Sequence, residues 1–144
     1  MSKLKKAVSL AVIAVMMMSL FLPVSAFQVS EDVKGTEYES TAAILGALNI
    51  MVGDYGTGDF RPGDDILRSE VATVAVRTLG LDSLAAGFAS QKTFQDVVDG
   101  HWANGYINVA ASQKLVVGDD GVNFRPDDQI TVQEAAVIFT KMLG

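Results

Sequence analysis

The chain of 144 residues contains no cysteine and only one histidine, His101. Without cysteine it cannot form a disulfide framework, a thiolate metal site, a cysteine nucleophile or a bacterial-type lipid-anchor cysteine. With a single histidine the chain has no histidine pair for a metal ion and no Ser–His arrangement that occurs twice. The sequence therefore gives little support for an enzyme, and we predict no cofactor.

Positive charge is also scarce. Eleven Lys and Arg residues stand against 17 Asp and Glu residues, and the net charge of −6 argues against nucleic acid as a partner. Two predicted turns, starting at Asp54 and Asp119, are acidic, yet neither has the ligand spacing of an EF-hand loop. No metal site is predicted from either turn.

The N-terminal segment Met1–Ala26 has the pattern of a secretion signal. Lysines among the first six residues precede an uncharged apolar run, Ala7–Leu22, and Val-Ser-Ala provides a small-residue cleavage site. The run of about 16 residues is shorter than the ~20 that a spanning helix needs, and an uncleaved membrane anchor is the alternative. After cleavage the mature chain, Phe27–Gly144, loses three lysines and carries a charge of −9. We expect a secreted protein without a membrane segment.

One stretch of the sequence occurs twice. Gly118–Glu134 repeats Gly53–Glu70, and both copies contain Phe-Arg-Pro, 64 positions apart. Internal repeats set the architecture, since each copy forms one unit that buries its core against a neighbour. In each loop Asp, Gly or Asn favours turns and Pro fixes φ. The large apolar residue of each polar loop, Phe60 or Phe124, is predicted to fill the core.

An amphipathic helix follows each loop, Arg68–Leu79 in the first copy and a helix from Thr131 in the second. Both place apolar residues at i, i+3, i+4, i+7 and i+8. The positions are Val71, Val74, Ala75, Thr78 and Leu79, and Ala135, Ile138, Phe139, Met142 and Leu143. Earlier helices are predicted over Tyr38–Asn49 and up to about Lys114, and Phe27–Thr36 is predicted to be an irregular lead-in.

The predicted fold class is therefore all-α, with about four main helices in tandem helix–loop–helix repeats around loops that contain Phe-Arg-Pro. Repeat one is expected over residues 27–81, a connection over 82–93, and repeat two over 94–144. The connection has a mixed composition that suits a short helical turn.

The order of motifs carries a resemblance. F-x-D, W-A, an apolar helix, a short apolar segment ending in Val-Gly, an acidic turn, F-R-P and I-T-x-x-E precede the final helix. In this order the chain resembles the S-layer homology (SLH) family of bacterial surface proteins, over about residues 38–81 and 94–144. The resemblance implies three helix–loop–helix units around a pseudo-threefold axis. It also implies that grooves between units bind secondary cell-wall polysaccharide, often pyruvylated, and attach the protein non-covalently to the cell wall.

The chain departs from the family pattern at the start of each second helix. The family motif T-R-A-E carries an arginine that faces the acidic sugar. Repeat one keeps it as Arg68 but has Leu67 for the threonine, whereas repeat two keeps Thr131 but has Val132 for the arginine. The resemblance implies Arg68 and Trp102 as wall-sugar ligands, and Tyr38, Arg61 and Arg125 are further candidate ligands.

Each of these residues also has a structural interpretation. Arg68 could be a surface arginine paired with Glu70 or Asp65, and Trp102 could be a core anchor. Arg61 and Arg125 could instead close their loops on nearby aspartates.

Two functional hypotheses remain from the sequence. The first is a non-catalytic module that binds secondary cell-wall polysaccharide. The second is a structural or assembly protein that pairs its repeats with a second copy or with another SLH protein and binds little sugar. Two repeats in place of three leave apolar faces without a neighbour, so we expect either self-association or docking on another surface protein. The competing outcome is a four-helix monomer with residues 81–93 covering the gap.

We expect export to remove the first 26 residues, because a small residue precedes the predicted cleavage site. Mass spectrometry of secreted or wall-associated protein should give an N-terminus at or near Phe27. A membrane-bound protein that still begins at Met1 would overturn the prediction.

Overall fold

The computed structural model describes residues 28–144, so the predicted signal peptide Met1–Ala26 lies outside the described residues. Within this range the chain is all-α, as predicted, and each repeat is a helix–loop–helix unit. The helices are α1 (Glu39–Ala47), α2 (Arg68–Thr78), α3 (Ala85–Phe88), α4 (Asn104–Ser112) and α5 (Val132–Leu143). A 3₁₀ turn, Asp82–Leu84, leads into α3 and confirms the short helical structure expected in the connection.

The backbones of the two repeats follow the same path. Helices α1 and α4 both contain nine residues. The arginine of each Phe-Arg-Pro loop adopts a left-handed conformation, with φ of 50° at Arg61 and 57° at Arg125. The residue two positions after each first helix does the same, with φ of 57° at Asn49 and 60° at Lys114. Four non-glycine residues in this rare conformation occur as two matched pairs, so both copies fold along the same path.

An aspartate near the start of each repeat holds the Phe-Arg-Pro loop. The two carboxylate oxygens of Asp96 accept from the backbone N–H groups of Phe124 and Arg125, at 2.8 and 2.6 Å. Asp32 accepts in the same way from Phe60 and Arg61, at 3.2 and 2.7 Å. Residues 28–36 form turns without a helix or strand, as predicted for the lead-in, and Asp32 within them holds the loop of repeat one.

Helix α2 lies at the centre of the fold. It packs against α4 and, over a shorter contact, against α5. Five residues outside its predicted apolar stripe are buried: Arg68, Ser69, Ala72, Thr73 and Val76. The last predicted positions of the stripe, Thr78 and Leu79, are exposed instead. Helix α2 buries more of its surface than predicted, because neighbours from repeat two cover it on more than one side. Its buried surface also ends earlier than predicted.

The connection covers the outer face of α4. The buried amide of Asn108 donates to the carbonyls of Phe88 and Gln91, at 3.1 and 2.9 Å. Asn104 donates to the carbonyl of Ala89 at 2.7 Å. A Cβ at Gly105 would lie 2.1 Å from the carbonyl oxygen of Ala85, so this close approach requires glycine. Helix α4 is thus enclosed between α2 and the connection.

Helix α1 has no comparable cover. Among the helices of residues 28–144, none makes an extended contact with α1. Its predicted inner residues Ala42 and Gly46 are buried, but Leu45 is only partly so. Ile44 is 61% exposed, whereas its counterpart on α4, Val109, is fully buried. The core therefore consists mainly of repeat two and α2.

The two loop phenylalanines are not equivalent. Phe124 is 1% exposed, and its ring centroid lies 5.3 Å from that of Phe94. Phe60 is only partly buried, so the prediction that it fills the core was wrong for repeat one. The reason lies in the neighbours, since Ser30 stands where repeat two has Phe94, and Ala42 stands where it has Ile107.

The apolar face predicted on α5 is only partly buried. Ile138 is buried, and Ala135 and Met142 are partly covered. Phe139 is 43% exposed and Leu143 is 89% exposed. Ile138 and Met142 pack on the core, whereas Phe139 and Leu143 are exposed to solvent.

Among residues 28–144, no single helix is long and apolar enough to cross a membrane. The consecutive segments Arg68–Thr78 and Asp82–Phe88 meet the criteria together, by length and composition only, across a bend of 115°.

Replacing each phenylalanine with alanine should destabilise the protein by different amounts, because the two side chains differ in burial. Phe124→Ala is expected to lower the free energy of unfolding by about 3–5 kcal/mol, because it empties a closed site. Phe60→Ala removes the same atoms from a half-open site, and the expected loss is below about 2 kcal/mol. Urea denaturation of both variants measures the difference, and equal losses would contradict it.

Candidate functional site

The start of α2 joins the two repeats. The guanidinium of Arg68 is buried, and its Nε donates to the carbonyl of Phe124 at 2.7 Å. Its Nη1 donates to Glu134 Oε1 at 2.6 Å, and Nη2 lies 3.8 Å from Asp119. The guanidinium carbon is 5.0 Å from the centroid of the Phe124 ring. The interpretation of Arg68 as a surface arginine paired with Glu70 or Asp65 was therefore wrong. Its side chain instead links repeat one to repeat two.

Backbone groups complete this junction. The N–H groups of Arg68 and Ser69 donate to the carbonyls of Asp128 and Pro126, at 2.9 and 3.1 Å. The N–H of Ile130 donates to the carbonyl of Ile66 at 3.0 Å. The first N–H groups of a helix have no partner within it. Since Leu67 cannot cap them with its side chain, the Phe-Arg-Pro loop of repeat two takes over that role.

The loop arginines bind carboxylates of their own repeats. Arg125 contacts Asp119, Asp128 (3.1 Å) and Glu134 (3.3 Å). Arg61 contacts the corresponding residues, which are Asp54 (3.9 Å), Asp64 (3.4 Å) and Glu70 (2.6 Å). These negative neighbours raise the pKa of both arginines further. Both arginines thus fasten the turn, the loop and the second helix of one repeat together.

A groove of about 780 Å³ lies beside repeat one. Its walls come from α1, the turn 53–59, the Phe-Arg-Pro loop, the middle of α2, and two aromatic residues of repeat two, Trp102 and Tyr106. Its floor is apolar, with Leu45, Ile50 and Val74 among its residues. The groove therefore spans the boundary between the repeats on the side where α1 is uncovered.

Three of the aromatic side chains that line this groove are exposed. Tyr38 and Tyr55 are 47% and 81% exposed, and Trp102 is 38% exposed. The rings of Tyr55 and Trp102 are nearly parallel, 11° apart, with centroids separated by 6.4 Å. The interpretation of Trp102 as a core anchor was therefore wrong, because the following residue, Ala103, enters the core in its place. We call Tyr38, Tyr55 and Trp102 the aromatic rim.

Comparison with known proteins identifies the family. Residues 93–136 match the model of the S-layer homology domain. The chain is 37% identical over 106 residues to a surface layer protein of Brevibacillus choshinensis and 34% identical over 108 residues to the middle cell wall protein of Brevibacillus brevis. The chain belongs to the S-layer homology family.

The same comparisons bear on location. The chain is also 38% identical over 89 residues to the cellulosome-anchoring protein of Acetivibrio thermocellus. The three matches cover 74%, 75% and 62% of this chain but only 9%, 10% and 20% of the relatives' own lengths. No solved structure matches. Its family and these relatives place the chain among secreted, cell-wall-associated proteins.

The wall-sugar ligands implied by the SLH resemblance do not form one cluster. Tyr38, Trp102 and Arg61 line the groove, whereas Arg68 and Arg125 lie away from it. Sequence reasoning missed Tyr55, which is the ring that stacks on Trp102. The repeat alignment gave no signal for it, because repeat two has Asp120 at the corresponding place in its shorter turn.

Polar groups close the inner end of the groove. The hydroxyl of Tyr106 donates to Asp82 at 2.8 Å and accepts from Arg77 Nη2 at 3.1 Å. Burial raises the pKa of the Tyr106 hydroxyl. The described residues contain no group of three or more His, Asp or Glu side chains that could hold a metal ion. The groove therefore presents aromatic rings, hydroxyls and carboxylates as its contact groups.

A smaller cavity of about 260 Å³ occupies the corresponding place in SLH repeat two. Leu115, Val116, Asp119, Glu134 and Ile138 line it. The side chain of Arg68 enters this cavity from repeat one. The groove of repeat one is larger because no described side chain fills the corresponding position.

The acid stability of the protein should depend on Glu134. Hydrogen bonds from the Thr131 N–H and hydroxyl, helped by the charges of Arg68 and Arg125, lower the pKa of Glu134 below its ordinary value of 4.5. Since the folded state favours the ionised form, this stabilisation is present above pH 4.5 and is lost as the pH falls through the lowered pKa.

Urea denaturation between about pH 6 and about pH 3 tests this dependence. Wild-type protein should lose more stability over this range than Glu134→Gln, whereas Asp99→Asn, an exposed site, should follow wild type. Identical losses for Glu134→Gln and wild type would contradict the assignment.

Proposed function

We propose that the groove beside repeat one binds secondary cell-wall polysaccharide and so attaches this surface protein non-covalently to the wall. The observation that carries the proposal is the aromatic rim, with its parallel rings of Tyr55 and Trp102. The face of an aromatic ring is negative and attracts the polarised C–H groups of a sugar ring. Two parallel faces above an apolar floor suit a flat, hydroxylated ligand.

The contacts available in the groove favour recognition of sugar rings and hydroxyls over acidic groups. Five carboxylates line it (Asp54, Asp59, Asp64, Asp65 and Glu70) against two arginines, Arg61 and Arg77. Arg61 already contacts three of these carboxylates, and Arg77 pairs with Asp82 at 3.1 Å. A ligand carboxylate would therefore have to compete with internal ion pairs, so Arg61 is the weakest member of the proposed ligand set.

Arg68 and Arg125 have a different role in this proposal. Both guanidinium groups contact Glu134 and Asp119, and neither lines the groove. They hold the repeats in place, and the groove depends on them only through the fold. The chain itself is proposed to be non-catalytic, as expected for a wall-anchoring module.

Replacing a residue of the aromatic rim should weaken attachment without unfolding the protein. Trp102→Ala and Tyr55→Ala are each expected to weaken binding to purified cell-wall sacculi at least about tenfold. The matched control is Phe139→Ala, an aromatic side chain of similar exposure on α5 that lies outside the groove. Co-sedimentation with sacculi measures binding, and circular dichroism checks the fold.

Two comparisons decide the result. Wild-type protein should bind sacculi that keep their secondary polymer and not sacculi from which it has been stripped. Equal binding of Trp102→Ala and wild type would remove the rim from the site. A wild-type protein that binds neither preparation would instead favour the assembly hypothesis, in which the repeats pair with another SLH protein.

A further inference from the structure

The junction between the repeats is a donor–acceptor contact with two distinct sides. The donor side is the start of α2, which presents the guanidinium of Arg68 and the N–H groups of Arg68 and Ser69. The acceptor side is the loop of repeat two. Its acceptors are the carbonyls of Phe124, Pro126 and Asp128 and the carboxylates of Asp119 and Glu134.

Repeat one contains the same acceptor set. The corresponding groups are the carbonyls of Phe60, Pro62 and Asp64 and the carboxylates of Asp54 and Glu70. They all belong to residues that line the groove. Within residues 28–144 no N–H group donates to any of these three carbonyls. The acceptor side of repeat one is therefore complete, and among the described residues no second helix start donates to it.

Three differences between the repeats accompany this missing donor. Phe60 is only partly buried, whereas Phe124, under the Arg68 guanidinium, is 1% exposed. Glu70 lies 2.6 Å from the loop arginine of its repeat, against 3.3 Å for Glu134, which also binds Arg68. The groove is about three times the size of the cavity that Arg68 enters.

We propose that this acceptor side of repeat one docks a helix start of a partner protein that presents an arginine at the position of Arg68. The arginine enters the inner part of the groove, over the Phe60 ring, and bridges Asp54 and Glu70. The first two N–H groups of the partner helix donate to the carbonyls of Pro62 and Asp64. The partner is thus another repeat-containing surface protein, held by the contact that joins the two repeats here.

A second copy of this chain lacks the required side chain. The residue of α5 that corresponds to Arg68 is Val132, which is 83% exposed. Valine offers no donor to Glu70 or Asp54, so only the two backbone N–H groups of α5 would remain. The other helix start, at Arg68 itself, is already buried against repeat two. The proposal therefore favours a different partner over homo-association.

This difference allows a direct test. The double variant Val132→Arg/Glu70→Gln has a donor helix start and a disabled acceptor, so it can bind wild type only in a 1:1 complex. Arginine at an exposed first helical position should not disturb the fold, and glutamine keeps an oxygen for the N–H of Leu67, which now bonds Glu70 at 2.7 Å. Sedimentation velocity and titration calorimetry of the mixture with wild type should show the 1:1 complex.

Acceptor variants then locate the contact. When the Glu70→Gln single variant replaces wild type in the mixture with the donor variant, the complex should be at least about tenfold weaker. Asp99→Asn removes the same charge from an exposed site outside the groove and should leave affinity unchanged. A donor with Val132→Lys should bind more weakly, since lysine cannot reproduce the bidentate fork.

Two results would overturn the proposal. One is a mixture of the Val132→Arg donor and wild type that stays monomeric at high micromolar concentration. The other is a complex that forms equally well with Glu70→Gln. Sacculus binding by the same Glu70→Gln variant is measured in parallel, so that loss of wall attachment and loss of partner docking are distinguished.

Discussion

The guanidinium of Arg68 is the contact on which the arrangement of the two repeats depends. It takes a positive charge from the first turn of α2 into repeat two, where a carbonyl, a carboxylate and an aromatic face receive it. A charge that is removed from water is tolerated only where its donors are paired. Because all these partners lie on the Phe-Arg-Pro loop and on α5, the position of the arginine fixes how repeat two sits on α2.

The two repeats share one backbone path but differ in what fills it. Repeat two buries Phe94, Ile107 and Phe124 in a closed core. Repeat one has Ser30 and Ala42 at the first two of these positions, and its phenylalanine stays half-covered. Because repeat one has smaller side chains and no described arginine enters it as Arg68 enters repeat two, it has an open groove, whereas repeat two is packed there. Repeat two thus provides the packed core that stabilises the protein, and repeat one provides the open groove.

The sequence predicted the features that depend on local patterns. The all-α class, the helices near Tyr38–Asn49 and Arg68–Leu79, and the helix from Thr131 follow from hydrophobic periodicity. It did not predict features that depend on which unit packs on which. The burial of Arg68, the exposure of Trp102 and the half-burial of Phe60 are set by neighbours distant in the chain. Asp32 was detectable, since Asp-Val recurs at 32–33 and 96–97 with the 64-residue spacing of the Phe-Arg-Pro loops.

The aspartate that holds each loop has a consequence for how such a chain folds. In both repeats the carboxylate and the phenylalanine N–H are separated by 28 residues. Repeat two has one more residue before its first helix and one fewer in its turn, so the two changes cancel. In each repeat this hydrogen bond closes a loop of the same length, and closing so short a loop costs little chain entropy. Loop closure is therefore possible within each unit before the units meet, and folding does not have to begin with the long-range junction between them.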